Sequence, residues 1–212
     1  MVDDGSTDMT AEIVRDTLFD SNCIYYFERF ETNQGRLVAR NAGMSRAKND
    51  WICWLDSDDE YVSTYLSTIN AAIAKFPDAK LFNFGAVVFD EPNFRSWTRD
   101  TFLPALREDG RGHVAFKSGG IGTGSFVFKR ELSEEIGLLP ETRHPYGNDD
   151  SLPALATRRW PELKDLYGQN ETGQWLPFGN PWGDDWLYFY LLTRNHVSIP
   201  LDINLYIQHL RH

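Results

Sequence analysis

The sequence predicts an α/β fold in which a mixed, mostly parallel central sheet is flanked by helices. Two observations predict it. Helix-like and strand-like stretches alternate through the first part of the chain, the rhythm by which crossover units build a parallel sheet. Strand-like segments also end in clustered aspartates, and open α/β sheets bind ligands beyond the carboxyl ends of their strands.

Each element has a local reason. Thr10 to Phe19 can form an amphipathic helix, with Ile13, Val14 and Leu18 on one side and Asp8 as its N-cap. Ile24 to Phe30 is rich in aromatic and β-branched residues and reads as a strand. Arg36 to Lys48 reads as a helix. Trp51 to Leu55 is a short apolar strand that runs into three acids. Ser63 to Phe76 carries Leu66, Ile69, Ile73 and Phe76 at helical spacing and is closed by Pro77. Leu81 to Phe89 reads as a strand.

The second half is less regular. Pro92 to Gly124 reads as loops and short strands. Ser125 to Phe128 reads as a strand, with a helix near Glu131 to Ile136. Pro140 to Gly183 is a long polar stretch containing proline and glycine, and such stretches are functional or carry short elements of their own. Asp184 to Thr193 reads as a buried helix and Val197 to Ile207 as terminal strands.

Composition narrows the function. The chain has 212 residues, 42% hydrophobic and 25% charged, which excludes long disorder, collagen and coiled coil. Its net charge of -10 opposes nucleic-acid binding. An acidic protein that handles phosphates needs a local cation, either a metal ion or well-placed arginines. No apolar run approaches the ~20 residues of a membrane span, and no signal peptide is visible, so a cytoplasmic location is expected. Cys23 and Cys53 are expected to be reduced thiols.

Five stretches carry candidate chemistry. Val2 to Asp8 (V-D-D-G-S-T-D) is a strand end and tight turn. Its acids either cap the next helix or accept hydrogen bonds from a base or ribose. In N-Q-G-R-L-V-A-R-N-A-G, from Asn33 to Gly43, Arg36 and Arg40 lie four apart on one helix face. They either pair with a diphosphate or form a solvated face. Trp51 to Asp59 delivers Asp56, Asp58 and Asp59 to a strand end with Ser57 among them. Three neighbouring acids need water or a cation, and Mg²⁺ or Mn²⁺ prefers such oxygen ligands. Trp182 to Trp186 (W-G-D-D-W) sets Asp184 and Asp185 beside indoles, suited either to helix capping or to a general base. Asp149-Asp150 is a competing pair without the tryptophan frame. Finally, His209 or His212 in the closing L-Y-I-Q-H-L-R-H is either a metal ligand or a solvated histidine.

In this order and spacing the motifs resemble glycosyltransferase family 2, inverting enzymes of the Rossmann-like GT-A fold. The matching residues are V-D-D-G-S-T-D at Val2, N-Q-G-R-L-V-A-R-N-A-G at Asn33 and W-L-D-S-D-D at Trp54. G-S-F-V-F-K-R-E-L at Gly124, G-D-D-W at Gly183 and L-Y-I-Q-H at Leu205 complete them. The resemblance implies one GT-A domain over residues 1–212, with 1–90 binding the nucleotide-sugar and 91–212 the acceptor. Asp3 or Asp4 would contact the nucleobase, and Arg36 would lie near the nucleotide or its diphosphate. Asp58 would bind the metal, Asp56 would lie nearer the ribose, and Asp59 would approach the donor sugar. Asp185 would be the catalytic base, with Asp184 where many members carry Glu.

The implied reaction is metal-dependent transfer of one sugar, with Mn²⁺ or Mg²⁺ and a UDP-sugar as the expected donor. The acceptor would be a carbohydrate or glycolipid, as in polysaccharide biosynthesis at a membrane surface. The chain lacks the Gln-x-x-Arg-Trp motif of processive synthases, which favours single additions. Members usually carry a strand-helix-strand unit of about 30 residues before the Asp-Asp-Gly-Ser turn. Here that turn starts at residue 2, so an N-terminally truncated fold is expected. A non-catalytic nucleotide-sugar-binding module is then the alternative, and an exposed sheet edge would favour a homodimer. Trp160, Trp175 and Trp182 are either sugar-stacking residues or core.

Overall fold

The computed structural model describes residues 1–19, 21, 23–93, 95–99, 104–106, 112–114, 124–142, 151–165, 167–169, 175–177 and 184–210. The first half contains β1 (Val2–Asp3), α1 (Thr10–Phe19), β2 (Glu28–Arg29), α2 (Arg36–Arg46), β3 (Trp51–Cys53), β4 (Glu60–Tyr61) and α3 (Tyr65–Lys75). Then come β5 (Leu81–Asp90), a helical turn at Glu91–Asn93, β6 (Arg95–Arg99), β7 (Pro104–Leu106), β8 (Gly112–Val114), β9 (Phe126–Lys129) and α4 (Arg130–Ile136). The last part holds α5 (Leu152–Arg159), a helical turn at Pro161–Asp165, β10 (Tyr167–Gln169), β11 (Trp175–Pro177), α6 (Asp184–Thr193) and β12 (Ile199–Leu210). No described helix is long and apolar enough to cross a membrane.

The chain forms two compact units. The first comprises Met1–Lys48 and Leu138–Phe178, the second Asn49–Gly137 and Gly179–His212. In the first, β1 and β2 pair in parallel, Val2 opposite Glu28 and Asp3 opposite Arg29. Asp8, expected as the N-cap of α1, stands one residue before it: the Met9 carbonyl accepts the first helical N–H, that of Ile13, at 3.0 Å, while Asp8 Oδ1 accepts the Thr10 N–H at 3.0 Å and the Thr10 hydroxyl at 2.6 Å. The strand expected over Ile24 to Phe30 is only two residues long. Its partner β1 is equally short, and upstream the contact narrows to the Met1 ammonium on the Tyr26 carbonyl at 2.6 Å. Ile24, Tyr25 and Tyr26 are exposed. So is Ile13, and Ala11 is the buried residue of α1. The long stretch from Pro140 contains α5, with Leu152, Ala154 and Ala156 buried, and Trp160 is buried beside it.

The second unit is built on a six-stranded sheet in the order β3-β9-β5-β12-β4, with β6 added to β5. Here the expectation of a mostly parallel sheet needs correction. The β5–β12 pairing is parallel, whereas β3–β9, β5–β9, β5–β6 and β4–β12 are antiparallel. The β5–β6 connection explains one reversal, because a link that short can close only an antiparallel pair. The expected terminal strands are one strand, β12, whose register shifts around Asn204.

Both faces of the sheet are covered. On one, Phe82, Phe84, Ala86 and Val127 pack with Tyr65, Ile69 and Ala72 of α3. Tyr65, rather than the exposed Leu66, starts the buried stripe of that helix. On the other, Phe126 and Phe128 meet Phe189 and Tyr188 of α6 at centroid distances of 5.2 and 5.5 Å. From Leu187 to Leu192 every residue of α6 is buried, as its nearly unbroken apolar sequence requires.

Candidate functional site

In the first unit the site residues belong to the turn after β1 and to α2. Asp3 is buried. Its Oδ1 accepts the Ser6 N–H at 2.9 Å, and its Oδ2 sits 3.3 Å from Arg29 Nε without hydrogen-bond alignment. Arg29 also donates to the Ser6 carbonyl at 2.7 Å, which closes the turn. Gly5 lies at φ 75, and a Cβ there would stand 2.6 Å from the Asn33 nitrogen, so the turn requires glycine. Asp4 reaches the start of α2. Its two carboxylate oxygens accept the N–H groups of Gln34 at 2.6 Å and Gly35 at 2.9 Å. Arg36 opens α2 and is exposed, and Arg40 is half-buried one turn on.

In the second unit β3 delivers the acidic turn, which is anchored at both ends. At its start, Trp54 is buried against Tyr188 and Phe126, at centroid distances of 4.7 and 5.5 Å. The Trp54 carbonyl accepts the Tyr61 hydroxyl at 2.7 Å. At its end, Asp59 is half-buried. Its Oδ1 accepts the His209 N–H at 2.9 Å, and its Oδ2 accepts the Tyr206 hydroxyl. The turn closes with the Asp59 N–H on the Asp56 carbonyl at 3.2 Å. Between the anchors Ser57 and Asp58 are exposed and Asp56 is half-buried.

Burial pushes the Asp59 carboxyl above the usual carboxylate range. Tyr206 and the His209 N–H oppose the rise, while the charges of Asp58 and Asp56 add to it. Burial, then the hydrogen bond and charge of Asp59, raise the Tyr206 phenol and keep it a donor at any physiological pH.

The remaining candidates lie in the same unit. Asp184 is buried and Asp185 half-buried in the first turn of α6, where the helix dipole favours negative charge. The His209 ring stacks on Phe89, with Nδ1 2.9 Å from Glu91 and Nε2 3.1 Å from Glu60. Among the described residues no three His, Cys, Asp or Glu side chains form a group that could hold a metal ion. Asp149, Asp150, Trp182 and His212 lie outside the described residues, and Trp175 is placed in β11 by its backbone alone. Cys23 and Cys53 are free.

Three residues to which the sequence assigned no role of their own hold these elements, although Tyr206 and Asn41 both fall inside motifs quoted above. Tyr206 and Tyr61 hold the acidic turn, and Asn41 is buried in α2. Asn41 left a signal: Leu37, Asn41 and Met44 share the spacing of a buried helix face, so a polar side chain stands where an apolar one is expected.

Comparison with known proteins adds to this geometry. The family model described as Glycosyl transferase family 2 matches residues 1–137. An uncharacterized glycosyltransferase of Haemophilus influenzae is 42% identical over 59 residues, 28% of this chain and 23% of that protein. A GalNAc(5)-diNAcBac-PP-undecaprenol beta-1,3-glucosyltransferase of Campylobacter jejuni is 36% identical over 67 residues, 32% of this chain and 22% of that protein. Each match thus spans under a quarter of the relative's length. The crystal structure of S. aureus TarS 1-349 in complex with UDP-GlcNAc superposes with a TM-score of 0.55 at 15% identity. That superposition covers 100% of this chain and 49% of the other, and it shows a common fold.

Proposed function

The chain belongs to glycosyl transferase family 2 and has the GT-A fold; from that premise we propose that it moves one sugar from a nucleotide-sugar donor to an acceptor hydroxyl, non-processively and with inversion. The observation that carries this reading is the acidic turn after β3. Its ends are fixed by Tyr61, Tyr206 and the His209 backbone, and Asp58 is exposed between them. An exposed carboxylate on an anchored turn suits a hard divalent cation, which takes one or two protein carboxylates and completes its shell with phosphate oxygens and water.

The other roles follow residue by residue. Asp3 is our candidate for the nucleobase: its Oδ2 is held by an ion pair with Arg29 at 3.3 Å rather than by a hydrogen bond, whereas both oxygens of Asp4 accept backbone N–H groups. Arg36 and Arg40 bring positive charge suited to a diphosphate. Asp58, with Asp56, would hold Mn²⁺ or Mg²⁺; His209 faces two glutamates and is the weaker candidate ligand. When bound, the ion would neutralise charge on the departing nucleoside diphosphate.

Asp185 takes the acceptor hydroxyl proton. The acceptor oxygen then bonds to the anomeric carbon as the bond to the diphosphate oxygen breaks, and the nucleoside diphosphate leaves with that electron pair. Displacement from the opposite face inverts the centre. Asp184, buried beside the base, would hold the start of α6. A UDP-sugar donor and a glycolipid acceptor are favoured by the UDP-GlcNAc complex of TarS and by the undecaprenol-linked substrate in the name of the Campylobacter relative.

The test is calorimetric titration with UDP, GDP and dTDP, each with and without Mn²⁺, followed by a transfer assay with the matching nucleotide-sugar. Metal-dependent binding of one nucleotide is expected. No binding under any condition would overturn the reading, and binding without transfer to any acceptor would assign a non-catalytic module.

A further inference from the structure

We propose that Tyr206 is a positioning residue for the acidic turn: its hydroxyl latches Asp59 and so holds Asp58 in place at the end of β3. The proposed consequence for the donor rests on the reading of this turn given above, whereas the latch rests on geometry alone.

Both oxygens of Asp59 are spoken for. Oδ2 accepts the Tyr206 hydroxyl and Oδ1 the His209 N–H at 2.9 Å. Charge-assisted bonds to a half-buried carboxylate are stronger than neutral ones. Asp58 is the adjacent residue, and the backbone between Asp56 and Asp59 is closed by their own hydrogen bond. Freedom gained at Asp59 therefore passes directly to Asp58. On this geometry Asp59 serves the turn as an internal anchor rather than the donor sugar as a contact.

Tyr206 is well placed to act as a fixed point. It is 0% exposed, and its backbone pairs with Tyr61 of β4 on one side and Ala86 of β5 on the other. Its ring occupies the space left by Gly124, where a Cβ would fall 2.3 Å from a ring carbon. The ring is thus set by the sheet, and its hydroxyl carries that placement 147 residues back along the chain to the turn. A tyrosine serving only as core would need the ring and not the hydroxyl. Phenylalanine separates the two roles, because it keeps the ring.

The test uses Tyr206→Phe, Asp59→Ala and the double variant in the full chain. The first measurement is hydrogen exchange at the amides of residues 57–59, referenced to the amides of β5 in the same molecule. Each single variant should exchange at least about fivefold faster there, β5 should be unchanged, and the double variant should be no faster than the faster single. Independent effects would instead add. The second is UDP titration with Mn²⁺ together with donor kinetics. Tyr206→Phe should raise Kd or donor KM about tenfold, equivalent to loss of one buried hydrogen bond, and change kcat little. Wild-type exchange at the turn in Tyr206→Phe, or additivity in the double variant, overturns the latch. If the unmodified chain binds no nucleoside diphosphate, the functional reading fails while the exchange result still decides the latch.

Discussion

The side-chain amide of Asn41 binds the backbone of Leu139 through both its polar atoms. Nδ2 donates to the Leu139 carbonyl at 2.9 Å, and Oδ1 accepts the Leu139 N–H at 3.0 Å. Both residues are 2% exposed. The pair joins α2 to a segment 98 residues away within one compact unit. Asn41→Ala would strand a buried N–H and a buried carbonyl, at a cost of about 2–4 kcal/mol. Urea unfolding followed by circular dichroism checks this, and a loss below about 0.5 kcal/mol would mean that the two backbone groups find other partners.

A second prediction separates Asp4 from Asp3. Asp4 gives one oxygen each to the N–H groups of Gln34 and Gly35, the two residues that lead into α2. Asp4→Asn keeps one acceptor, turns a donor toward the other N–H, and should cost about 1–2 kcal/mol. Nucleotide affinity should change less than about twofold, well under the tenfold that 1.4 kcal/mol represents. Asp3→Asn should instead weaken nucleotide binding. Paired calorimetry and urea titration of the two variants give the comparison, and the reverse pattern would exchange their roles.

Local features were legible in the sequence and distant ones were not. The bounds expected for α1 and α6, Thr10 to Phe19 and Asp184 to Thr193, are those observed. Both helices are announced by nearby residues, Asp8 just ahead of the first turn in one case and the acid pair that opens an apolar run in the other. That Asp56 to Asp59 follow a strand was also readable, because a buried strand and a following turn are neighbours in sequence. Strand direction was not, since β12 meets β5 and β4 through residues far apart along the chain. The orientation of Asp59 was hidden for the same reason. Nothing near it announces Tyr206, and the aspartate reads like its neighbours until the fold turns it inward.

The Glu135 carboxylate gives a prediction in pH. It accepts from Asn195 Nδ2 at 3.1 Å and lies 2.8 Å from His196 Nε2. The hydrogen bond from His196, then that from Asn195, hold its pKa below the ordinary glutamate value. Between the lowered folded value and the ordinary unfolded one, near 4.3, the unfolded chain binds more protons. Glu135 therefore contributes stability that is complete above that window and lost as pH falls through it. The side chain is 45% exposed, so solvent screening keeps the contribution under about 1 kcal/mol. Glu135→Gln should be less stable than the parent at pH 6, and the gap should narrow by pH 3. A gap independent of pH would remove the electrostatic explanation.

The sharpest division of labour is between Asp58 and Asp185. Asp58 is exposed on the anchored turn, where a carboxylate can be shared with an ion, and Asp185 is half-buried at the start of α6, where it is proposed to handle a proton. Asp58→Ala should abolish the Mn²⁺-dependent part of nucleotide binding, leaving the affinity measured in chelator. Asp185→Asn is isosteric and preserves hydrogen bonding but cannot accept the acceptor's proton. It should bind nucleotide and Mn²⁺ as the parent does, while transfer falls by about 10²-fold or more, the ordinary contribution of a general base. Titration and single-turnover transfer on the same preparations separate the two. Equal loss of binding in both variants would contradict the division, because a residue acting only on the acceptor's proton has no reason to affect the nucleotide in its absence.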